Sequence, residues 1–108
     1  MIKRLNMRRK IPIFSLKARP GMDYSQLTAI PEVRKVVMEE AIIAIKDGIK
    51  KNKKKIALFE IANSDCYIEL EKDKWKPTLE TALQYYVEQE EYDVCVVCRD
   101  LMNKLNKL

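Results

Sequence analysis

The 108-residue sequence predicts a small α+β domain with a basic arm at its N-terminus. Apolar residues make up 47% of the chain and charged residues 34%, which gives enough apolar surface for one core. The 2 glycines and 4 prolines are too few for a turn-rich sandwich or barrel. Helical periodicity in residues 31–51 and 77–106 brackets a two-strand pattern in residues 56–71. The predicted order is therefore arm, long helix, β-hairpin and antiparallel two-helix hairpin.

The basic arm comprises residues 1–30, and its composition differs from that of the remaining chain. Its first 22 residues contain no acidic side chain, and their seven basic residues are Lys3, Arg4, Arg8, Arg9, Lys10, Lys17 and Arg19. Apolar residues are interleaved with them, so we expect the arm to lie on a protein surface, its own or another chain's. We expect the segment IPIFSL, which contains Pro12 and Phe14, to be a short extended piece at a sheet edge or in a loop.

Residues 31–51 carry the strongest helical pattern. Pro31 suits the first turn of a helix, where its missing N–H leaves no hydrogen bond unmade. The residues that share one stripe at helical spacing are Val33, Val36, Val37, Ala41, Ala44, Ile45 and Ile49, and Met38, Ile42 and Ile43 widen it. Acidic side chains lie toward the N-terminal end and lysines toward the C-terminal end, as the helix dipole favours.

The β-hairpin is predicted from two apolar segments. Residues 56–62 are apolar on both faces except at Glu60, which indicates a sheet covered on one side and partly on the other. Residues 66–71 alternate between apolar and polar faces, as a half-exposed strand does. Because an isolated hairpin is marginally stable, we expect packed helices or a third strand, supplied by IPIFSL or by another subunit.

The two-helix hairpin is predicted to span residues 77–106. Pro77 opens its first helix, and the polar run Gln89-Glu90-Glu91 interrupts the apolar pattern. The second helix begins at about Tyr92 and has an inward stripe of Cys95, Cys98, Leu101, Met102 and Leu105. Helices joined by so short a link pack antiparallel. We expect Trp75, just before this hairpin, to cap the core.

Residues 79–105 resemble the UVR motif of nucleotide-excision-repair subunits and of some protease adaptors. That motif reads acid-aromatic-acid, then two small residues, then Arg-Asp and aliphatic residues, and the matching positions are Glu91, Tyr92, Asp93, Cys95, Val96, Arg99, Asp100, Met102 and Leu105. Cysteine and valine replace the alanines usual in the family, which crowds the contact between the helices. The resemblance implies a protein–protein contact rather than a catalytic site, carried by Tyr86, Glu90, Glu91, Tyr92, Asp93, Arg99 and Asp100.

Few residues offer catalytic or metal chemistry. The chain contains no histidine, which excludes Ser-His and Cys-His nucleophile pairs within it. Cys95 and Cys98 form a CxxC pair, but inside an apolar helix behind acidic residues, where the thiolate is disfavoured and packing is the favoured role. A zinc site with Cys66 would need a fourth ligand such as Asp65, and the spacing does not support it. We expect no catalytic residue, no metal and no cofactor.

The charge is unevenly distributed along the chain. Residues 1–55 carry a net charge of +10 and residues 56–108 a net charge of −5, which leaves +5 overall. The second basic cluster consists of Lys50, Lys51, Lys53, Lys54 and Lys55. Such a cluster can bind phosphate without a fixed motif, and the alternative is a solvated lysine-rich turn. The asymmetry also allows copies to associate with the basic half against the acidic half.

These features predict a non-enzymatic assembly or adaptor subunit. We expect it to bind other protein chains, as a homo-oligomer or within a larger assembly, through the basic arm and the acidic hairpin. The composition resembles that of small accessory and virion-building proteins of tailed phages. The alternative is a nucleic-acid-binding protein that uses the arm and residues 50–55.

No membrane partner is expected, because the apolar runs are far shorter than the roughly 20 residues a membrane-spanning helix needs. An odd cysteine count without a secretory signal favours the cytoplasm, or a virion if the chain is phage-encoded.

Overall fold

The computed structural model describes residues 11–14, 23–62 and 66–107, and it has the predicted α+β architecture. Its elements in chain order are β1 (Ile13–Phe14), α1 (Tyr24–Thr28), α2 (Arg34–Lys50), β2 (Lys55–Ile61), β3 (Tyr67–Glu71), a 3₁₀ turn (Lys72–Lys74), α3 (Trp75–Glu88) and α4 (Tyr92–Asn106). The long helix, the β-hairpin and the C-terminal helix pair are all present. None of these described helices is both long enough and apolar enough to cross a membrane.

The described strands form one sheet in the order β1–β2–β3. β2 and β3 pair antiparallel as the predicted hairpin, and β1 pairs with β2 in parallel, with Ile13 opposite Glu60 and Phe14 opposite Ile61. The expected third strand therefore comes from the IPIFSL segment of the same chain. The side chain of Ile13 is 67% exposed, which is typical of a short edge strand.

A β-bulge explains why β2 is so apolar. Ala57 lies opposite Glu69 and Phe59 lies opposite Ile68, so Leu58 is the extra residue between two pairs. The bulge turns Leu58 and Phe59 toward the same side, and both are buried. The sequence predicted a sheet covered on one side and partly on the other, and the burial of β2 agrees: one face is buried, and Ala57 and Glu60 on the other face are half-buried. The bulge places two successive apolar residues on the buried face.

The core fills the space between the buried face of the sheet and the helices. Trp75 is fully buried, and its Nε1–H donates a hydrogen bond of 3.1 Å to the Leu70 carbonyl, which confirms its expected place as a cap on the core. Gly48 on α2 allows this close approach, because a Cβ atom there would lie 2.7 Å from Cη2 of Trp75. The indole therefore packs directly against the backbone of α2.

The predicted boundary of the arm at residue 30 is wrong. Residues 23–30 are not an extended arm, because they contain α1, whose Tyr24 and Leu27 are buried in the core. Asp23 and Gln26 cap this helix reciprocally: each side chain accepts a hydrogen bond of 2.9 Å from the other's backbone N–H. The remaining arm residues, 1–10 and 15–22, lie outside the described residues.

Two helix starts and part of one stripe also differ from the predictions. α2 begins at Arg34 because Pro31 lies in a turn that the Val33 N–H closes onto the Ile30 carbonyl. α3 begins at Trp75, two residues before Pro77. Val36 and Ile43 are about half exposed, so the apolar stripe of α2 is narrower than the sequence suggests.

Candidate functional site

The turn between α3 and α4 carries a cluster of carboxylates, which we call the acidic tip: Glu88, Glu90, Glu91 and Asp93. α3 ends in a two-bond Schellman motif, in which the N–H groups of Glu90 and Glu91 donate to the carbonyls of Val87 and Tyr86. Glu90 adopts a left-handed conformation with φ of 59° to complete it. The motif reverses the chain within three residues, so the carboxylates are held together at one end of the hairpin.

Exposed apolar side chains accompany the acidic tip. Val87 lies just before the turn, Tyr92 just after it, and Val96 one helical turn further along α4 on the side of Tyr92. All three are about half exposed, and Tyr92 reaches 59%. We call Val87, Tyr92 and Val96 the tip patch. An apolar patch with a charged rim is the arrangement that protein-binding surfaces use.

The tip lies beside the N-terminal end of α2. Lys35, in the first turn of α2, forms an ion pair of 3.3 Å with Glu91. Both side chains remain substantially exposed, so the pair contributes little to stability, about 0–1 kcal/mol. The ion pair is informative mainly because it shows that the tip lies beside the N-terminal end of α2.

Tyr86, which the UVR resemblance placed among the interaction residues, is fully buried and is not part of the surface. Among the described residues, its hydroxyl has no hydrogen-bond partner. Burial raises the pKa of Tyr86 above its ordinary range, and the nearby carboxylates of Glu39 and Glu91 raise it further. The residue belongs to the inward stripe of α3, which its apolar ring suits.

The other residues of the predicted interaction hairpin are on the surface. Glu90, Tyr92 and Asp93 are exposed at the tip, and Glu91 is half-buried by its contact with Lys35. Arg99 and Asp100 are also exposed, two turns along α4 from the tip. Arg99 follows Tyr92 and Val96 on one helical stripe, so it borders the tip patch at its far end.

The second cluster, Lys50–Lys55, follows the C-terminal end of α2, and we call it the lysine turn. α2 ends in the same two-bond motif, in which the N–H of Lys53 donates to the Gly48 carbonyl and that of Asn52 to the Ile49 carbonyl. Asn52 supplies the left-handed residue with φ of 54°. Asparagine tolerates this conformation better than most residues do, so the lysines are displayed on a well-formed turn.

Only part of the lysine turn is neutralised locally. Lys51 pairs with Asp47 at 3.0 Å and Lys55 with Glu69 at 3.6 Å. Lys50, Lys53 and Lys54 are exposed, and within the described ranges no carboxylate lies in ion-pair distance of them. The turn therefore presents three ammonium groups to solvent.

The acidic tip and the lysine turn lie at opposite ends of α2. Lys35 marks the end with the tip and Lys50 the other end, and 15 residues of helix between them span about 22 Å. The sequence predicted both clusters but not their separation. No residue of the tip can therefore reach the lysine turn of the same molecule.

Part of the predicted basic surface falls on residues that the structure does not describe. Lys3, Arg4, Arg8, Arg9, Lys10, Lys17 and Arg19 all lie outside the described residues. The backbone of Phe14 lies in β1, where it pairs with Ile61. Within the described residues, the basic side chains of the predicted site are those of the lysine turn, and the structure places them close together.

A groove of about 400 Å³, which the sequence did not indicate, lies between α1, β3 and the start of α3. Its charged lining consists of Asp23, Glu69, Glu71 and Lys74. The hydroxyls of Thr28 and Thr81, also in the lining, already donate to backbone carbonyls of their own helices. The capping signal Asp23-x-x-Gln26 could have located α1, and with it this groove.

The cysteines offer no exposed reactive pair. Cys95 and Cys98 are buried in α4, and burial together with the neighbouring Cys95 thiol raises the pKa of Cys98 to about 11. Cys66, by contrast, is exposed. In the described part of the chain, no group of three or more cysteine or acidic side chains is placed to hold a metal ion.

Comparison of the chain with protein-family models, with curated proteins and with solved structures found no match. The UVR resemblance therefore depends on the residues of the hairpin alone, and it stays a prediction. In the structure Cys95, at the first position of the small pair, faces the core, and Val96, at the second, is exposed.

Proposed function

We propose that this protein is a non-enzymatic assembly or adaptor subunit that binds another protein chain through the acidic tip and the tip patch. One observation carries the proposal: Val87, Tyr92 and Val96 are exposed together beside the carboxylates of the tip. Tyrosine is among the residues that most often dominate the binding energy of protein interfaces. The UVR-like pattern of α4 supports the same use of this hairpin.

A binding role suits the chemistry of the side chains better than a catalytic one. The chain has no histidine to transfer protons near neutral pH. The thiols of its CxxC pair are buried, and the raised pKa of Cys98 keeps that thiol protonated. Free cysteines also favour a reducing compartment, or a virion assembled in one, as the place where the protein acts.

Photocrosslinking in cells of the native source tests this proposal. A photoreactive amino acid replaces Tyr92, and a matched variant carries it at Tyr67, which is similarly exposed but lies on β3. We expect discrete protein adducts from position 92 and none in common with position 67. Equal, diffuse labelling from both positions would remove the support for an interface at the tip.

A second candidate function is nucleic-acid binding by the lysine turn. It is favoured by the three exposed ammonium groups of Lys50, Lys53 and Lys54. Phosphate contacts of this kind make affinity fall steeply with salt. If the protein binds duplex or single-stranded DNA, the double variant Lys53→Glu with Lys54→Glu should weaken binding and reduce the salt dependence. Affinity equal to that of wild type would exclude the lysine turn as the contact.

A further inference from the structure

We infer that the chain that binds the tip is a second copy of the same protein, whose lysine turn receives the acidic tip and the tip patch head to tail. This inference rests on the proposed function and names the partner. It is drawn from the acidic tip and the lysine turn, which lie beside opposite ends of α2 and carry opposite charges.

The charges of the two surfaces are complementary in number as well as in sign. Glu88, Glu90 and Asp93 are exposed carboxylates, and in the described part of the chain none has a cation within ion-pair distance. In the lysine turn, Lys50, Lys53 and Lys54 are likewise exposed, and no carboxylate of the described residues lies within ion-pair distance of them. A contact between copies would neutralise both sets, whereas the described residues of a single molecule provide no ion pair for either set.

The apolar parts of the two surfaces are complementary too. A lysine side chain has a long hydrocarbon stem below its ammonium group, and this stem packs well against an apolar patch. An ammonium group is also attracted to the face of an aromatic ring such as that of Tyr92. The tip patch would therefore gain contacts from the lysine turn in addition to its ion pairs.

The separation of the two surfaces determines the kind of assembly. Because about 22 Å of α2 lies between them, the tip of one molecule cannot dock on its own lysine turn. Each copy therefore uses both surfaces on other copies, which are a preceding and a following copy or, in a reciprocal dimer, the same one. Such a heterologous contact produces a ring if the rotation between copies closes, and otherwise an open filament.

Paired charge reversals test the inference. The tip variant carries Glu88→Lys and Glu90→Lys, and the turn variant carries Lys53→Glu and Lys54→Glu. Each variant alone sets like charges against each other at every contact, so we expect its self-association to fall at least about tenfold. Mixed at equal concentration, the two variants place opposite charges at both contacts. Sedimentation of the mixture should therefore recover association that neither variant shows alone.

Matched controls separate a local effect from a change in net charge. Asp73→Lys with Glu80→Lys reverses two exposed carboxylates away from the tip, and Lys76→Glu with Lys104→Glu reverses two exposed lysines that lie on α3 and α4 rather than in the turn. Both controls should associate as wild type does. Circular dichroism of all four variants should show the wild-type helical content.

Three results would overturn the inference. The first is a wild-type protein that stays monomeric at low ionic strength and high concentration. The second is a folded tip variant or turn variant that associates as wild type does. The third is a mixture of these two variants that does not recover association. If wild type is monomeric while position 92 still gives discrete adducts with a different protein, the proposed function stands and only the identity of the partner is wrong. A monomer that instead binds DNA through the lysine turn would favour the second candidate function.

Discussion

At the residue scale, Glu90 adopts an unfavourable backbone conformation at the acidic tip. Its φ of 59° is left-handed, where a residue with a side chain is less stable than glycine by roughly 1–2 kcal/mol. We therefore expect Glu90→Gly to increase the free energy of unfolding by about 1 kcal/mol, measured by chemical denaturation. Glu88→Gly, within the last turn of α3, removes the same charge and should decrease stability by up to about 1 kcal/mol. Equal effects of both changes would contradict this explanation.

Gly48 is required for a different reason, the close approach of α2 to its neighbours. A Cβ atom there would lie 2.7 Å from Cη2 of Trp75 and 2.8 Å from Cγ2 of Ile56. Alanine is the better helix former by about 1 kcal/mol, but crowding in a packed core typically costs about 1–3 kcal/mol. We expect Gly48→Ala to be destabilising overall in chemical denaturation, and Lys46→Ala on the exposed side to be nearly neutral. A stabilised Gly48→Ala variant would show that the indole can move aside at little cost.

Three buried groups, Cys98, Tyr24 and Tyr86, have a raised pKa, which predicts a loss of stability in alkali. Burial raises the pKa of Cys98 from 9.0 to about 11 and that of Tyr24 from 10.0 to about 12. The unfolded chain loses these protons first, so stability is complete below about pH 9 and falls as the pH rises toward 12. Denaturation midpoints should therefore decrease between about pH 8 and about pH 11.

Tyr24→Phe tests the contribution of one of these groups. The variant has no proton to lose at this position, so its stability should fall less steeply between pH 10 and 12 than that of wild type. Near neutral pH it should be at least as stable, because the Tyr24 hydroxyl is buried and has no hydrogen-bond partner in the part of the chain that the structure describes. Tyrosinate absorbance should show Tyr24 ionising only when the protein unfolds, and ionisation in the folded state near pH 10 would contradict the assignment.

At the scale of secondary-structure elements, α1 determines where the arm ends and the core begins. Leu27 is fully buried, whereas Ile13 in β1 is 67% exposed. We expect Leu27→Ala to lower the free energy of unfolding by about 2–5 kcal/mol and Ile13→Ala to lower it by less than about 1 kcal/mol. Chemical denaturation distinguishes the two. If Leu27→Ala lowered the free energy of unfolding by less than about 1 kcal/mol, residues 23–30 would belong to the arm rather than to the core.

The order of the elements was predictable from sequence because long amphipathic helices and a two-residue alternation are strong local signals. α1 was not found because five residues give no helical period, and its capping residues follow a strongly basic segment. The bulge at Leu58 was missed for a related reason: a single inserted residue changes the register without changing the composition. Tyr86 was assigned to a surface by resemblance, although its own position in an apolar stripe indicated the core.

At the scale of the whole molecule, the two charged surfaces were each visible in sequence because their residues are neighbours in the chain. Their placement at opposite ends of α2 was not, since it depends on how the C-terminal hairpin docks on that helix. The ion pair between Lys35 of α2 and Glu91 of the hairpin is one contact of this docked arrangement. Long-range packing of the described residues therefore places two local clusters of opposite charge beside opposite ends of α2.

This polarity predicts how salt changes the force between molecules. A net charge of +5 spread evenly over the surface would make copies repel each other at low ionic strength, and added salt would weaken the repulsion. Head-to-tail contact predicts the opposite: attraction at low salt, which screening then removes. We expect the osmotic second virial coefficient, measured by static light scattering, to be negative at low salt and to increase with added sodium chloride. The turn variant, Lys53→Glu with Lys54→Glu, should lose this attraction although it lowers the net charge and with it the overall repulsion. A positive coefficient for wild type that decreases with salt would contradict the inference. It would show that net charge alone governs the force between copies and that the acidic tip of one copy does not bind the lysine turn of another.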